Sequence, residues 1–219
     1  MYNVDFCYEY VLYLMYTEVN QMTENIQVSE NIIKIKNTLE SFSLPSWDEL
    51  PSIYLYMDQV IELTSQYFRS VSELVSEDKI LTPPMINNYI KLRAMPAPDK
   101  KRYGKIHLAY LLMISSLKQT MNISAMKNVI PLLESEEDVQ KLYTSFVRNL
   151  DSTMKTLGES IAPALNLSGK SEINKDDAIM QIVIASNFMK VFSSGMLFSP
   201  AEDTKKSSEE NVYIKEEEK

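Results

Sequence analysis

A single histidine, a single cysteine and four glycines among 219 residues remove most familiar chemistry from this chain. With Cys7 alone there is neither an intramolecular disulfide nor a cysteine-based zinc site, which fits a reducing cytosol. Gly104, Gly158, Gly169 and Gly195 cannot be arranged into GxGxxG or GxxxxGK, so glycine-rich phosphate loops are excluded. Every Ser-His-Asp scheme would have to use His107, which lies in a basic stretch, and no second His or Cys pair supports a metal there. The reading is therefore of a non-enzyme with no cofactor. Lys34 is the first basic residue, so the positive start of an export signal is missing. The longest early apolar run, Tyr10 to Tyr16, is too short to span a bilayer. A cytoplasmic protein with no membrane partner is expected.

What the chain does have is segregated charge. Between Lys79 and Lys127 stand Lys79, Lys91, Arg93, Lys100, Lys101, Arg102, Lys105, Lys118 and Lys127, opposed by Asp99 alone. Nine bases against one acid give this window +8, while the rest, with 13 bases and 29 acids, carries −16 and the whole chain −8. A split of this kind describes a surface suited to a polyanion on a protein otherwise kept soluble by acid. A solvated loop is the plainer account of Lys100, Lys101 and Arg102. Their proximity to Lys91, Arg93 and Lys105 favours nucleic-acid contact instead.

Apolar spacing predicts an all-α, mainly helical chain with at most one short hairpin around 95–103. Helices are expected at Ile26 to Phe42, Leu55 to Val75, Lys105 to Thr120 and Ser124 to Leu133, the last capped by Asn122 or Ser124. Ser46 and Glu49 have capping-box spacing, and Pro51 ends that turn. Thr82 and Pro83 read as N-cap and first position of a helix reaching about Arg93, closed by Pro96 and Pro98. Acids at Glu136, Glu137 and Asp138 suit the dipole of a helix running to Leu157. A polar loop follows at 158–173. Asn174 then caps a final helix to Phe198, apolar nearly all round. From Pro200 the charged tail reads as disordered. Residues 1–21 are aromatic, acidic and uncapped, and are read as an upstream over-extension with Met22 the start; a docked helix or strand is the alternative. Most of the thirteen methionines are assigned to the core rather than to an adaptable ligand pocket.

The stretch from Leu81 to Ile130 (LTPPMINNYIKLRAMPAPDKKRYGKIHLAYLLMISSLKQTMNISAMKNVI) resembles the DNA-binding domain of the MerR family of bacterial regulators. Tyr89 takes the place of the second tyrosine of the recognition helix. Leu92, Met95 and Pro96 match its exit, and Arg102-Tyr103 resembles the end of the basic wing. Leu111, Ile114, Leu117 and Lys118 match the next helix, and Ile123 to Met126 the start of the last short one. Four positions depart: Asn87 stands for an arginine, Asn88 for the first tyrosine, Arg93 for a helix-ending glycine and His107 for an aspartate. Over a longer span, about 44–190, the chain resembles a bacterial domain-of-unknown-function family numbered 1836. It shares LPSWDELP, a YMDQVIEL-like helix and a TPPMINNYIK-like helix with that family, whose name implies no activity.

The MerR resemblance implies a winged helix-turn-helix with an added C-terminal helical part, acting as a DNA-binding transcription regulator. The expected layout is an N-terminal extension and helix at 1–43, the winged helix at 44–134, a dimerisation or effector part at 135–199 and an acidic tail at 200–219. Asn87, Asn88, Lys91, Arg93, Lys100, Lys101, Arg102, Tyr103 and Lys105 form the expected DNA-binding set; the rings of Tyr89 and Tyr103 are weighed chiefly as packing. Asparagine pairs with adenine in the major groove, so one of Asn87 and Asn88, about 100° apart on the helix, should reach bases while the other lies near the backbone or the core. Phe188 and Phe192, one turn apart, mark a homodimer or effector face. Double-stranded DNA, a second copy and an unknown small-molecule or protein effector are the expected partners. The alternative is a helical protein–protein interaction module with no DNA role.

Overall fold

Prolines, caps and buried apolar faces set the helix boundaries of this chain. The computed structural model describes residues 30–31, 33–75, 80–164 and 175–198, and the expectations for 1–29, for 165–174 and for the tail from Pro200 lie outside them. Residues 33–41 form α1. The turn after Pro45 is closed by the Glu49 carboxylate, which accepts from the Ser46 backbone N–H at 2.7 Å and from the Ser46 hydroxyl at 2.8 Å. These bonds lower the Glu49 pKa, as the capping-box spacing implies.

The helix expected from Leu55 to Val75 is instead two, α2 (Met57–Tyr67) and α3 (Arg69–Val75). Phe68 leaves helical geometry between them and buries its ring 5.7 Å from that of Phe42. Tertiary burial here overrides a continuous apolar period. The fourth helix, α4 (Pro83–Lys91), starts where proline costs no hydrogen bond; Thr82 occupies the N-cap, yet its side chain makes no capping bond.

Helix α5 (Lys105–Leu117) is the centre of the core. Eight consecutive residues, Leu108 through Ser115, are buried, so this helix is covered on every side. It packs against α2 and α7, and α2 packs against α4. Each fully buried Leu, Ile or Met there contributes about 1.5–3 kcal/mol. Asn122 caps α6 (Ile123–Val129) by accepting from the Ala125 N–H at 2.9 Å. The buried Tyr110 hydroxyl donates to the Pro131 carbonyl and accepts from the Leu133 N–H, both at 2.9 Å, which fixes the loop into α7.

Helix α7 (Glu136–Ala164) is longer than the sequence reading had it, continuing through Gly158 rather than ending at Leu157. Val139 and Tyr143 are fully in the core, and the Tyr143 hydroxyl donates to the Pro45 carbonyl at 2.7 Å. The boundary expected at 134–135 therefore does not divide the packing: the first half of α7 shares one core with residues 42–130. At Gly158 an added Cβ would lie 2.5 Å from Glu40 Cγ, so α1 and α7 approach closely where α7 has no side chain.

Two compact units divide the chain after Ile182. The eighth helix, α8 (Lys175–Phe198), crosses that boundary. Its apolar residues Ile179, Ile184, Met189 and Val191 are exposed, as are Phe188 and Phe192. The described chain is mainly helical, its only extended pairings among the described residues being two isolated antiparallel bridges. No helix among them is long and apolar enough to cross a membrane.

Candidate nucleic-acid interface

The two bridges build a small platform in the segments before α2 and between α4 and α5. Leu55 and Tyr103 exchange backbone hydrogen bonds of 2.9 and 2.8 Å, tying the segment before α2 to the one before α5. One residue away, Arg102 pairs with Asp99 through a 2.8 Å bond, closing a two-residue hairpin turn made of Lys100 and Lys101. Both turn residues have positive φ, 48° and 65°, as a type I′ turn requires. Asn-Gly is the usual solution there, because a Cβ in the left-handed region costs about 1–2 kcal/mol.

The end of α4 repeats this. Leu92 is the C-cap, and Arg93 follows with φ 53°. The Arg93 N–H reaches Ile90 O at 3.0 Å and the Ala94 N–H reaches Tyr89 O at 2.9 Å, the two bonds of a Schellman motif with Arg93 in the position glycine normally takes. Among the described residues, the non-glycine residues at positive φ are Arg93, Lys100 and Lys101. All three are basic and exposed.

The remaining expected contacts divide by burial. Asn87, Asn88 and Lys91 are exposed on α4, with Tyr89 and Ile86 buried beneath, so neither asparagine belongs to the core. Tyr103 is the correction to the set. Its side chain is buried, its ring meets that of His107 edge-on at 5.7 Å, and burial raises its pKa. It props the base of the hairpin. Arg102 alternates with it and is half-exposed; its guanidinium stands 5.2 Å over the exposed Tyr54 ring and 3.6 Å from the Asp99 carboxylate. Lys105 is half-buried, with Nζ 5.2 Å over the Trp47 ring. Lys118, counted in the basic window, donates to the Ile80 carbonyl at 2.9 Å, and Lys79 lies outside the described residues.

Two contributors escaped the sequence reading. Tyr54, exposed beside Arg102, gave no periodic signal, since it sits in an irregular segment. His107 does at a helix start the work usually given to an acidic residue: Nδ1 accepts from the Gly104 N–H at the N-terminus of α5, at 3.1 Å. Its Nε2 lies 3.1 Å from the Ala97 carbonyl. One neutral tautomer, protonated at Nε2, satisfies both and pins the approach to the hairpin onto α5. Among the described residues no group of His, Cys, Asp and Glu could hold a metal ion.

No curated protein and no solved structure matches the chain. Residues 45–146 match the family model described as a domain of unknown function, DUF1836, a span whose two ends meet where Tyr143 bonds Pro45.

Proposed function

We propose that this protein is a DNA-binding transcription regulator in which α4 enters the major groove and the Lys100-Lys101 hairpin touches the flanking backbone, in the manner of a MerR-like winged helix. One observation carries the reading: Arg93, Lys100 and Lys101 hold strained backbone positions where glycine or asparagine would be cheaper. Strain retained at exposed basic residues points to a use for their charge. They flank α4, which exposes Asn87, Asn88 and Lys91. Phosphate contacts from Lys91, Arg93, Lys100, Lys101, Arg102 and Lys105 would fix register, and the asparagines would read base edges.

One such module makes few base contacts, which favours a homodimer on a two-fold site. The exposed apolar α8, with Phe188 and Phe192 on one face, supplies a surface for a second copy. The test is binding of the purified protein to duplex DNA across a salt series, followed by mapping of bound genomic sites. Affinity should fall with salt at about −0.9 per contacted phosphate on a log–log scale. The competing reading is a helical module that binds an acidic protein. It wins if duplex binding is absent.

A further inference from the structure

Outside the basic surface, the chain holds a cleft of about 460 Å³ between the Ser46–Asp48 turn and one stripe of α7, lined by Gln140, Thr144, Val147, Arg148 and Asp151. The volume lies in the range of small-molecule sites. Its charge is not balanced. Asp48 and Asp151 make no ion pair among the described residues, and Asp151 Oδ1 is buried with no hydrogen-bond partner. A buried carboxylate oxygen without a donor is costly. The cation in the lining does not serve it, because the Arg148 guanidinium turns to the Ser145 hydroxyl at 3.4 Å. Trp47 and Val147 supply the apolar wall.

We infer that this cleft binds a small organic cation, an ammonium group on an apolar body. The ammonium would sit between Asp48 and Asp151, with a turn of the Asp151 carboxylate about Cβ–Cγ presenting its orphan oxygen. The body would lie against Trp47 and Val147. Trp47 connects the site to the basic surface. Its ring meets that of Tyr143 at 6.1 Å and carries the Lys105 ammonium at 5.2 Å. An ammonium held beside the ring is repelled by that of Lys105, the first residue of α5 and the second after the hairpin residue Tyr103. A link from cleft occupancy to DNA affinity rests on the function proposed above; the site itself does not.

Trp47 is the only tryptophan, so its emission reports the cleft in the full-length protein without any label. The probes are phenethylammonium and butyltrimethylammonium, with phenylacetate and phenylethanol as anionic and neutral counterparts at constant ionic strength. The expected result is a saturable emission change with the cations alone. Asp151→Asn and Asp48→Asn should each weaken it about tenfold. Lys105→Met, which removes that repulsion, should tighten it about two- to fivefold. No saturable response to either cation up to about 10 mM, where millimolar affinity would show, overturns the site. So does an equal response to phenylacetate, or full retention in the Asp48→Asn/Asp151→Asn double variant, with circular dichroism confirming that the variants fold. Duplex binding is measured separately. Cation binding without DNA binding leaves the cleft standing and removes the regulator. DNA binding without cation binding does the reverse.

Discussion

Replacing Lys100-Lys101 by Asn-Gly should make the protein more stable and a poorer DNA binder at once. Both lysines hold positive φ in a turn closed by the 2.8 Å bond from Arg102 to Asp99. Removing the Cβ at 101 relieves about 1–2 kcal/mol of left-handed strain and costs about 0.5–1 kcal/mol through the freer unfolded chain. Asparagine at 100 tolerates the conformation better than lysine and adds a few tenths. The net gain is about 1 kcal/mol, a rise in melting temperature of about 2–4 °C if the core unfolds in one step. The same change deletes two cations, so the salt slope of duplex binding should flatten by about 1.8. Lys100→Gln with Lys101→Gln is the control. It keeps the strain and removes the charge, so it should lose the same slope with little gain in stability, and any gain it shows measures relief of repulsion between the two lysines. Thermal melts and fluorescence anisotropy on one duplex decide the outcome. An Asn-Gly variant no more stable than the glutamine control refutes the strain argument. A stabilised variant with unchanged affinity and slope refutes the DNA contact.

Arg93→Gly should stabilise the end of α4 by about 0.5–1 kcal/mol in urea titrations while weakening duplex binding by one phosphate's worth of slope, because the Schellman bonds survive and the cation does not. His107→Leu removes the partner of the Gly104 N–H and the Ala97 carbonyl and should cost about 0.5–1.5 kcal/mol; His107→Glu, able to accept from Gly104, should recover part of it. Burial raises the Tyr143 pKa strongly, with the charges of Tyr67, Glu49 and Asp151 adding to it. Both states keep that proton below about pH 10; above it the unfolded chain ionises first, so this residue should lower stability by up to about 1.4 kcal/mol per pH unit, and Tyr143→Phe should make the alkaline fall shallower by that share in urea midpoints between pH 9 and 11. Phe188→Asp should split a dimer in sedimentation, whereas a protein that is monomeric at every concentration and on DNA removes the second copy from the proposal.

Helix positions were legible wherever one local rule acted alone. Pro83 marked the start of α4, the acids at 136–138 that of α7, and Asn122, one of two candidates beside Ser124, proved the cap of an α6 that ends at Val129 rather than Leu133. The period failed where burial of one ring outweighed it, at Phe68, which splits the segment from 57 to 75 into two helices. At the hairpin the alternation of strand faces was the missed signal. Arg102 and Tyr103 are neighbours in sequence, so one points out and the other in, and a contact set naming both had to lose one. The stacking of Lys105 on Trp47 joins residues 58 apart, which no local pattern encodes.

Arg93 shows why a departure from a pattern can carry more than agreement with it. In sequence, arginine in place of a helix-ending glycine counted against the MerR likeness. In the structure Arg93 has a left-handed backbone, 53° in φ, and makes both bonds of the Schellman motif that glycine usually completes. The arginine is therefore held against its own preference by about 1–2 kcal/mol. Folding stabilities are of order 5–15 kcal/mol, so a cost of this size repeated at Lys100 and Lys101 is a sizeable fraction of the whole. A solvated loop has no reason to concentrate lysine and arginine at such positions. A surface that presents cations to an anion has one, because a hairpin tip and a helix end hold their side chains exposed. The argument needs the fold, since φ is invisible in the sequence, and it can be overturned by the glycine variants alone.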